Sequence, residues 1–104
     1  MSKGMGNILK QAQQMQARMA KVQEELAAQR VEAAVGGGMV TVTANGQQHI
    51  LSITVHPEVI RAEEREMLQD LLLTGVNEAL RLSRELAAAE MSKATAGMGL
   101  PGMP

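Results

Sequence analysis

The stretch from residue 30 to residue 57, RVEAAVGGGMVTVTANGQQHILSITVHP, decides the fold of this chain. Apolar and polar residues alternate in it three times, and Gly36-Gly37-Gly38 and Asn45-Gly46 separate the alternations. Period-two alternation is typical of strands that bury one face. Asn-Gly favours a two-residue hairpin turn, in which both turn residues adopt positive φ. The stretch therefore predicts three short antiparallel strands within residues 30–56, joined by two tight turns, with Pro57 closing the last strand.

Long amphipathic helices are predicted on both sides of the strands. From about residue 6 to residue 29, apolar residues recur at alternating gaps of four and three, as in a coiled-coil seam: Ile8, Ala12, Met15, Met19, Val22 and Leu26. From about residue 63 to residue 93 a second apolar stripe includes Leu68, Leu72, Val76, Ala79, Leu82 and Leu86. The sequence thus predicts an α+β fold of order α-β-β-β-α in a single domain over residues 1–96. A disordered tail of Gly, Pro and Met is expected at residues 97–104.

The composition predicts that the chain needs a second copy. The 104 residues include no Phe, Trp or Tyr and nine Met, so the core is thin. An obligate homodimer would cover the remaining apolar surface. We assign its packing to the Met-containing seam of the first helix and to the second helix. In the second helix, Gly75 and Ala79 form a pair of small residues that allows two backbones to approach closely. The full predicted set is Leu68, Leu72, Gly75, Val76 and Ala79.

Several classes of protein are disfavoured. The absence of Cys excludes disulfides, Cys-ligated zinc and thiol catalysis, and no apolar stretch is long enough to span a membrane. His49 and His56 lie seven apart on one predicted strand, and no acidic cluster completes a metal site there. No Gly-Lys-Ser/Thr follows the three glycines, so a turn is favoured over a phosphate loop. We expect no enzyme, metal, cofactor, small-molecule substrate or membrane association.

The charges are distributed unevenly although the net charge is only -1. Residues 1–21 hold Lys3, Lys10, Arg18 and Lys21 and no acid, whereas residues 57–70 hold five acids against two arginines. At 100° per residue the four cations fall within an arc of about 80°, away from the apolar seam. Such a face suits DNA phosphates, because each neutralised phosphate releases counterions. The alternative is an ordinary solvated face, in which Glu25 neutralises Lys21.

A second group of cations, Arg81, Arg84 and Lys93, lies in the last predicted helix. Glu78, Glu85 and Glu90 are interleaved with it at spacings that favour salt bridges. Surface ion pairing is the favoured interpretation of this group, and contact of Arg81 and Arg84 with DNA is the alternative.

The ordered set of motifs resembles the YbaB/EbfC family of bacterial nucleoid-associated proteins over nearly the whole chain. The segments that carry the resemblance are NILKQAQQMQ at residues 7–16, GGGMV at 36–40, Asn45-Gly46, EMLQDLLL at 66–73, GVNEA at 75–79 and GLPG at 99–102. The chain departs from the family pattern at Thr74-Gly75, where small apolar residues such as Ala are expected.

The resemblance implies an intertwined homodimer with projecting helices and a protein of the cytoplasm that binds DNA in the nucleoid and alters its conformation. Because base stacking needs aromatic rings and the chain has none, duplex DNA is the expected partner. The expected contacts come from Lys3, Lys10, Arg18, Lys21, Arg81 and Arg84. The alternative function is a helical protein-interaction or chaperone-like module that grips a protein through the Met-rich seam.

Overall fold

The computed structural model describes the backbone of residues 2–96 and the side chains of residues 4–96. The helix α1 spans Ser2–Ala28 and the helix α2 spans Arg65–Ala96. Between them lie the strands β1 (Arg30–Val35), β2 (Val40–Asn45) and β3 (Ile50–Val55), followed by two short 3-10 helices. The predicted α-β-β-β-α order is confirmed. The predicted tail at residues 97–104 lies outside the described residues.

The three strands form one antiparallel sheet in the order β1-β2-β3. In the β1–β2 connection Gly36, Gly37 and Gly38 all have positive φ, at 63°, 67° and 93°. Residues with a Cβ adopt this region only at a cost, so three consecutive glycines are suited to the turn. The predicted tight turn at these glycines is therefore confirmed.

The second hairpin differs from its prediction. Asn45 does not occupy a turn position, because it is the last residue of β2 and pairs with Arg30 of β1. The connection to β3 is four residues long, and Gln48 (φ 62°) is its residue with positive φ. The Asn45 side chain explains the change, since its Oδ1 accepts hydrogen bonds from the backbone N–H groups of Gln47 and His49 at 2.9 and 3.1 Å. Asn45-Gly46 marked the hairpin correctly, but the prediction of a two-residue turn was wrong.

The helix α2 packs on one face of the sheet, over β1 and β2. The buried cluster at this contact consists of Ala33, Val40, Val42, Ala44 and Ala79. Gly75 lies at the closest approach, where an added Cβ would meet Val42 Cγ2 at 2.9 Å. A glycine in mid-helix costs about 1 kcal/mol relative to alanine, and here it allows the helix to sit directly on the strands.

The helix α1 packs against the far end of α2. Val22, Leu26 and Ala94 form a second buried cluster, separate from the sheet cluster. Arg18 lies beside Ala94 near the end of α2. Leu26 lies against Gly46 in the β2–β3 loop, and that loop contacts Ser83, eleven residues earlier in α2. The two helices therefore run antiparallel. The first half of α1 therefore projects beyond the end of α2, and the molecule measures 73 × 24 × 15 Å. We call residues 4–17 the arm; they account for roughly 20 Å of helix.

A buried serine joins the β2–β3 loop to α2. The Ser83 hydroxyl is fully buried, donates to the Asn45 carbonyl at 2.6 Å and accepts from the Gln48 N–H at 3.0 Å. Loss of this hydroxyl removes two hydrogen bonds between the loop and α2, which together contribute about 1–3 kcal/mol. The Asn45 carbonyl and the Gln48 N–H then keep only their bond to each other, at 3.3 Å.

We therefore expect Ser83→Ala to lower the free energy of unfolding by about 1–3 kcal/mol, measured by urea denaturation at fixed protein concentration. Ser92→Ala, at an exposed position of the same helix, is the control and should change it by less than about 0.5 kcal/mol. Equal effects of the two substitutions would contradict a locking role for Ser83.

Candidate nucleic-acid interface

The predicted cations of α1 lie on an exposed, acid-free stretch of helix. Lys10, Arg18 and Lys21 are all exposed, and the first acid of the chain is Glu24. The side chain of Lys3 lies outside the described residues. We call Lys10, Arg18 and Lys21 the α1 cations. No carboxylate is interleaved with them in the sequence, so the helix from Gly4 to Lys21 carries positive charges alone.

The apolar seam of α1 is covered along only half of its length. Val22 and Leu26 are buried against α2, and Met19 packs beside them. Every residue from Gly4 to Gln14 is exposed, and in the arm Met5 and Ile8 each keep 65% of their surface accessible. The arm thus carries Lys10 on one side and open apolar side chains on the other.

The structure brings two of the α1 cations together with one cation of α2. Arg18, Lys21 and Lys93 line a groove of about 240 Å³ between the two helices, with Val22, Ala94, Glu25 and Glu90 as the other lining residues. The Arg18 guanidinium donates to the Ala94 carbonyl at 3.3 Å. Sequence reasoning had grouped Lys93 with Arg81 and Arg84. The antiparallel packing of α1 on α2, which periodicity does not specify, determines this arrangement.

Arg81 forms ion pairs within its own helix. Its guanidinium contacts the carboxylates of both Glu78 and Glu85, with Nε donating to Glu78 Oε2 at 3.0 Å. This hydrogen bond to Glu78 raises the pKa of Arg81 further above its ordinary value and lowers the pKa of Glu78 below its own. The expected ion pairing is present for Arg81 and also for Lys93, which pairs with Glu90 at 3.5 Å. Arg84 is exposed and, within residues 4–96, has no carboxylate within 4.0 Å.

The five residues predicted to build a dimer fall into two groups. Gly75 and Ala79 are buried against the sheet of their own chain, so the small pair brings a helix close to a sheet. Leu68, Leu72 and Val76 are only partly buried along the flanks of that contact. A role of these residues in dimerisation stays a prediction.

The two histidines flank β3 and do not lie on it as the sequence had indicated. His49 belongs to the β2–β3 loop, and His56 caps the following 3-10 helix by accepting the Glu58 N–H at its Nδ1. Among residues 4–96 no group of three or more His, Asp or Glu side chains is placed to hold a metal ion. No helix within residues 2–96 is both long and apolar enough to cross a membrane.

A model of the YbaB/EbfC DNA-binding family matches residues 1–98. The chain belongs to this family. The YbaB/EbfC family is a DNA-binding family and not a class of enzymes. The chain is 52% identical over 100 residues to a nucleoid-associated protein of Ruminiclostridium cellulolyticum, covering 95% of this chain and 87% of the relative. It is also 52% identical over 103 residues to a nucleoid-associated protein of Desulforamulus reducens, covering 99% and 98% of the two chains.

A solved structure supports the fold of this YbaB/EbfC family member. The chain is similar to an uncharacterized protein from Helicobacter pylori, with a TM-score of 0.65 and 20% sequence identity. The match covers 75% of this chain and 90% of the other. At this identity the likeness shows the shared fold alone.

The ion pair of Arg81 leads to a prediction about Glu78. Because the folded-state pKa of Glu78 is lowered, the stabilisation from the pair is present above the ordinary carboxylate pKa and is lost as the pH falls through the lowered pKa. We expect Arg81→Ala to raise the Glu78 pKa toward its ordinary value, measured by carboxyl-carbon NMR titration. The same Glu78 midpoint in wild type and variant would contradict the pairing.

Proposed function

We propose that this chain is a nucleoid-associated protein that binds duplex DNA as a homodimer, mainly through phosphate contacts, and that it alters DNA conformation and gene expression in the bacterial nucleoid. The observation that carries the proposal is the exposed, acid-free run of the α1 cations on a projecting helix. Membership in a DNA-binding family and the names of the curated relatives support it.

The proposed contacts come first from Lys3 and the α1 cations. Long cationic side chains at intervals along a helix reach successive phosphates without reading base edges, so sequence preference should be modest. Arg84 is a second candidate because it is exposed and has no carboxylate within 4.0 Å among residues 4–96. Arg81 is expected to contribute less, since two carboxylates already neutralise its charge.

Duplex DNA fits this surface better than single-stranded nucleic acid. Proteins that bind single strands stack bases on aromatic side chains, and this chain has none. A surface of cations without aromatic rings acts through the phosphate charge and shape of the duplex.

The triple variant Lys10→Ala/Arg18→Ala/Lys21→Ala should weaken duplex binding and make the affinity less dependent on salt. The plot of log K against log salt concentration has a negative slope, and each lost phosphate contact reduces its steepness by about 0.9. A mobility-shift or fluorescence-anisotropy titration across a salt series measures both quantities, and circular dichroism confirms that the variant folds.

The matched control lowers the net charge by the same three units at two exposed positions of the sheet, in Arg30→Glu/Thr54→Asp. This variant changes the net charge equally, so it reports the contribution of overall charge. If the control weakens binding as much as the α1 variant does, the interface does not lie on α1. If neither wild type nor control binds duplex DNA, the proposed function is wrong.

The proposed dimer surface begins at β3. Ile53 pairs with Val42, and paired residues of antiparallel strands project from the same face of the sheet. Val42 is fully buried under α2, whereas Ile53 keeps 46% of its surface accessible because α2 does not extend over β3. The inner face of the sheet is therefore only partly covered.

Further exposed apolar residues lie on β3, after it and in the first turns of α2. The large apolar residues that remain exposed in this region are Ile50, Leu51, Ile53, Ile60, Met67 and Leu73. A hollow of about 230 Å³ is lined by Ile60 and the predicted dimer residue Leu68, with Ala62, Arg61 and Arg65 as its other lining residues. Because large exposed apolar surfaces often mark contacts with another protein, we assign these residues to contact with a second copy of the chain. An intertwined pair would also cover the open seam of the arm, leaving the α1 cations in solvent.

We expect Ile53→Asp to shift the protein from dimer to monomer, because it places a charge in the proposed interface. Sedimentation equilibrium measures the mass. Thr54→Asp is the control: Thr54 is the next residue of β3 and projects from the opposite face of the sheet. Leu73→Glu, on α2, tests the same surface without altering a strand. Unchanged dimers in both Ile53→Asp and Leu73→Glu would contradict this interface.

A second candidate function is a helical protein-interaction or chaperone-like module. The exposed apolar residues of the arm, Met5, Ile8 and Leu9, favour it. Such a module leaves the arm seam open in the dimer and binds its partner with little dependence on salt. The salt series on duplex DNA distinguishes the two functions.

A further inference from the structure

We propose that the groove between α1 and α2 is a phosphate-binding site that requires both helices, and that Glu90 is the carboxylate that a DNA phosphate displaces there. The inference rests on the proposed DNA binding. It adds Lys93 and Glu90 to that function and assigns them opposite effects.

The groove combines an apolar floor with a charged rim. Val22 and Ala94, each 8% accessible, belong to its lining and to the buried contact between the helices. Lys21 and Lys93 are exposed and come from different helices. The groove, of about 240 Å³, is open to solvent, so a DNA phosphate can reach its charged rim.

Arg18 is already oriented in this groove. One of its terminal nitrogens donates to the Ala94 carbonyl at 3.3 Å, which ties the guanidinium to the last turn of α2. A guanidinium has five N–H donors, so this bond leaves donors for an oxyanion. Because its position is partly fixed before binding, Arg18 loses less freedom when it contacts a phosphate.

Two carboxylates compete with a phosphate for these cations. Glu90 is only partly exposed and pairs with Lys93 at 3.5 Å, while Glu25 lines the opposite side of the groove. Three cations against two carboxylates leave one uncompensated positive charge, which a single phosphate group neutralises. Entry of a phosphate between Arg18 and Lys93 replaces the contact between Lys93 and Glu90.

Binding in this groove also fixes the direction of the arm. The α1–α2 contact depends on a small buried cluster of Val22, Leu26 and Ala94, separate from the sheet cluster. A phosphate bound by Arg18 of α1 and Lys93 of α2 would link the two helices a second time. DNA binding should therefore stabilise the contact that positions the arm.

The test uses the full chain and a duplex DNA titrated across a salt series. Lys93→Ala should weaken binding. It should also reduce the steepness of the negative slope of log K against log salt concentration by about 0.9 for each protomer in contact with the DNA. Glu90→Gln should strengthen binding roughly 3- to 10-fold, because the phosphate no longer displaces a carboxylate. Glu66→Gln is the control for removal of one negative charge, since Glu66 lies exposed at the far end of α2; it should change the affinity less than about twofold.

A double-mutant cycle separates displacement from a general charge effect. If Glu90 acts by holding Lys93, Glu90→Gln loses most of its effect in a Lys93→Ala background. Hydrogen exchange gives a second readout: added DNA should protect α1 backbone amides near Val22 in wild type and protect them less in Lys93→Ala.

The outcomes distinguish this inference from the proposed function. Absence of duplex binding by the wild-type protein overturns both. A different result overturns the groove site and leaves DNA binding intact. In that result the wild-type affinity depends steeply on salt, Glu90→Gln and Glu66→Gln change the affinity equally, and Lys93→Ala does not change it. An undiminished effect of Glu90→Gln in the Lys93→Ala background overturns the displacement of Glu90.

Discussion

The width of one helix limits how much of the sheet this chain can bury. An α-helix with its side chains is about 10–12 Å across, and adjacent strands lie about 4.8 Å apart, so α2 covers about two strands. Val40 and Val42 on the central strand are fully buried, whereas Ile53 on β3 stays half exposed. The chain has no aromatic side chain, the type that buries the most apolar area, to cover the remaining strand. The same shortage leaves the arm seam open, and a second copy is the simplest cover for both surfaces.

The close contact between α2 and the sheet depends on residues with little or no side chain. Gly75 and Ala79 bring the helix backbone onto β1 and β2, and the contact of Ser83 with Asn45 fixes its position along the strands. Once α2 is placed, its far end determines where α1 packs and in which direction the arm projects. The exposure of the α1 cations therefore depends on the close packing of α2 on the sheet at Gly75.

Local patterns in the sequence predicted the elements well, and the interactions between elements much less. Period-two alternation located the strands, and the seam spacing located both helices, although each helix extends about three or four residues beyond its predicted range at one end. The turn at Asn45 was misjudged because a side-chain hydrogen-bond pattern replaced the expected backbone turn. The pair of Gly75 and Ala79 indicates close approach without identifying the partner; the structure shows the sheet of the same chain there, and a role of the pair in a dimer stays a prediction. The meeting of Lys93 with Arg18 depends on antiparallel helix packing, which no single-helix pattern encodes.

We expect a second copy of the chain to cover the apolar surface left by one helix on three strands. Sedimentation equilibrium at low micromolar concentration measures the mass of the wild-type protein in solution, and circular dichroism confirms that it is folded. The expected result is a folded species of twice 11.1 kDa across the concentration range. A stable, folded species of 11.1 kDa would contradict it.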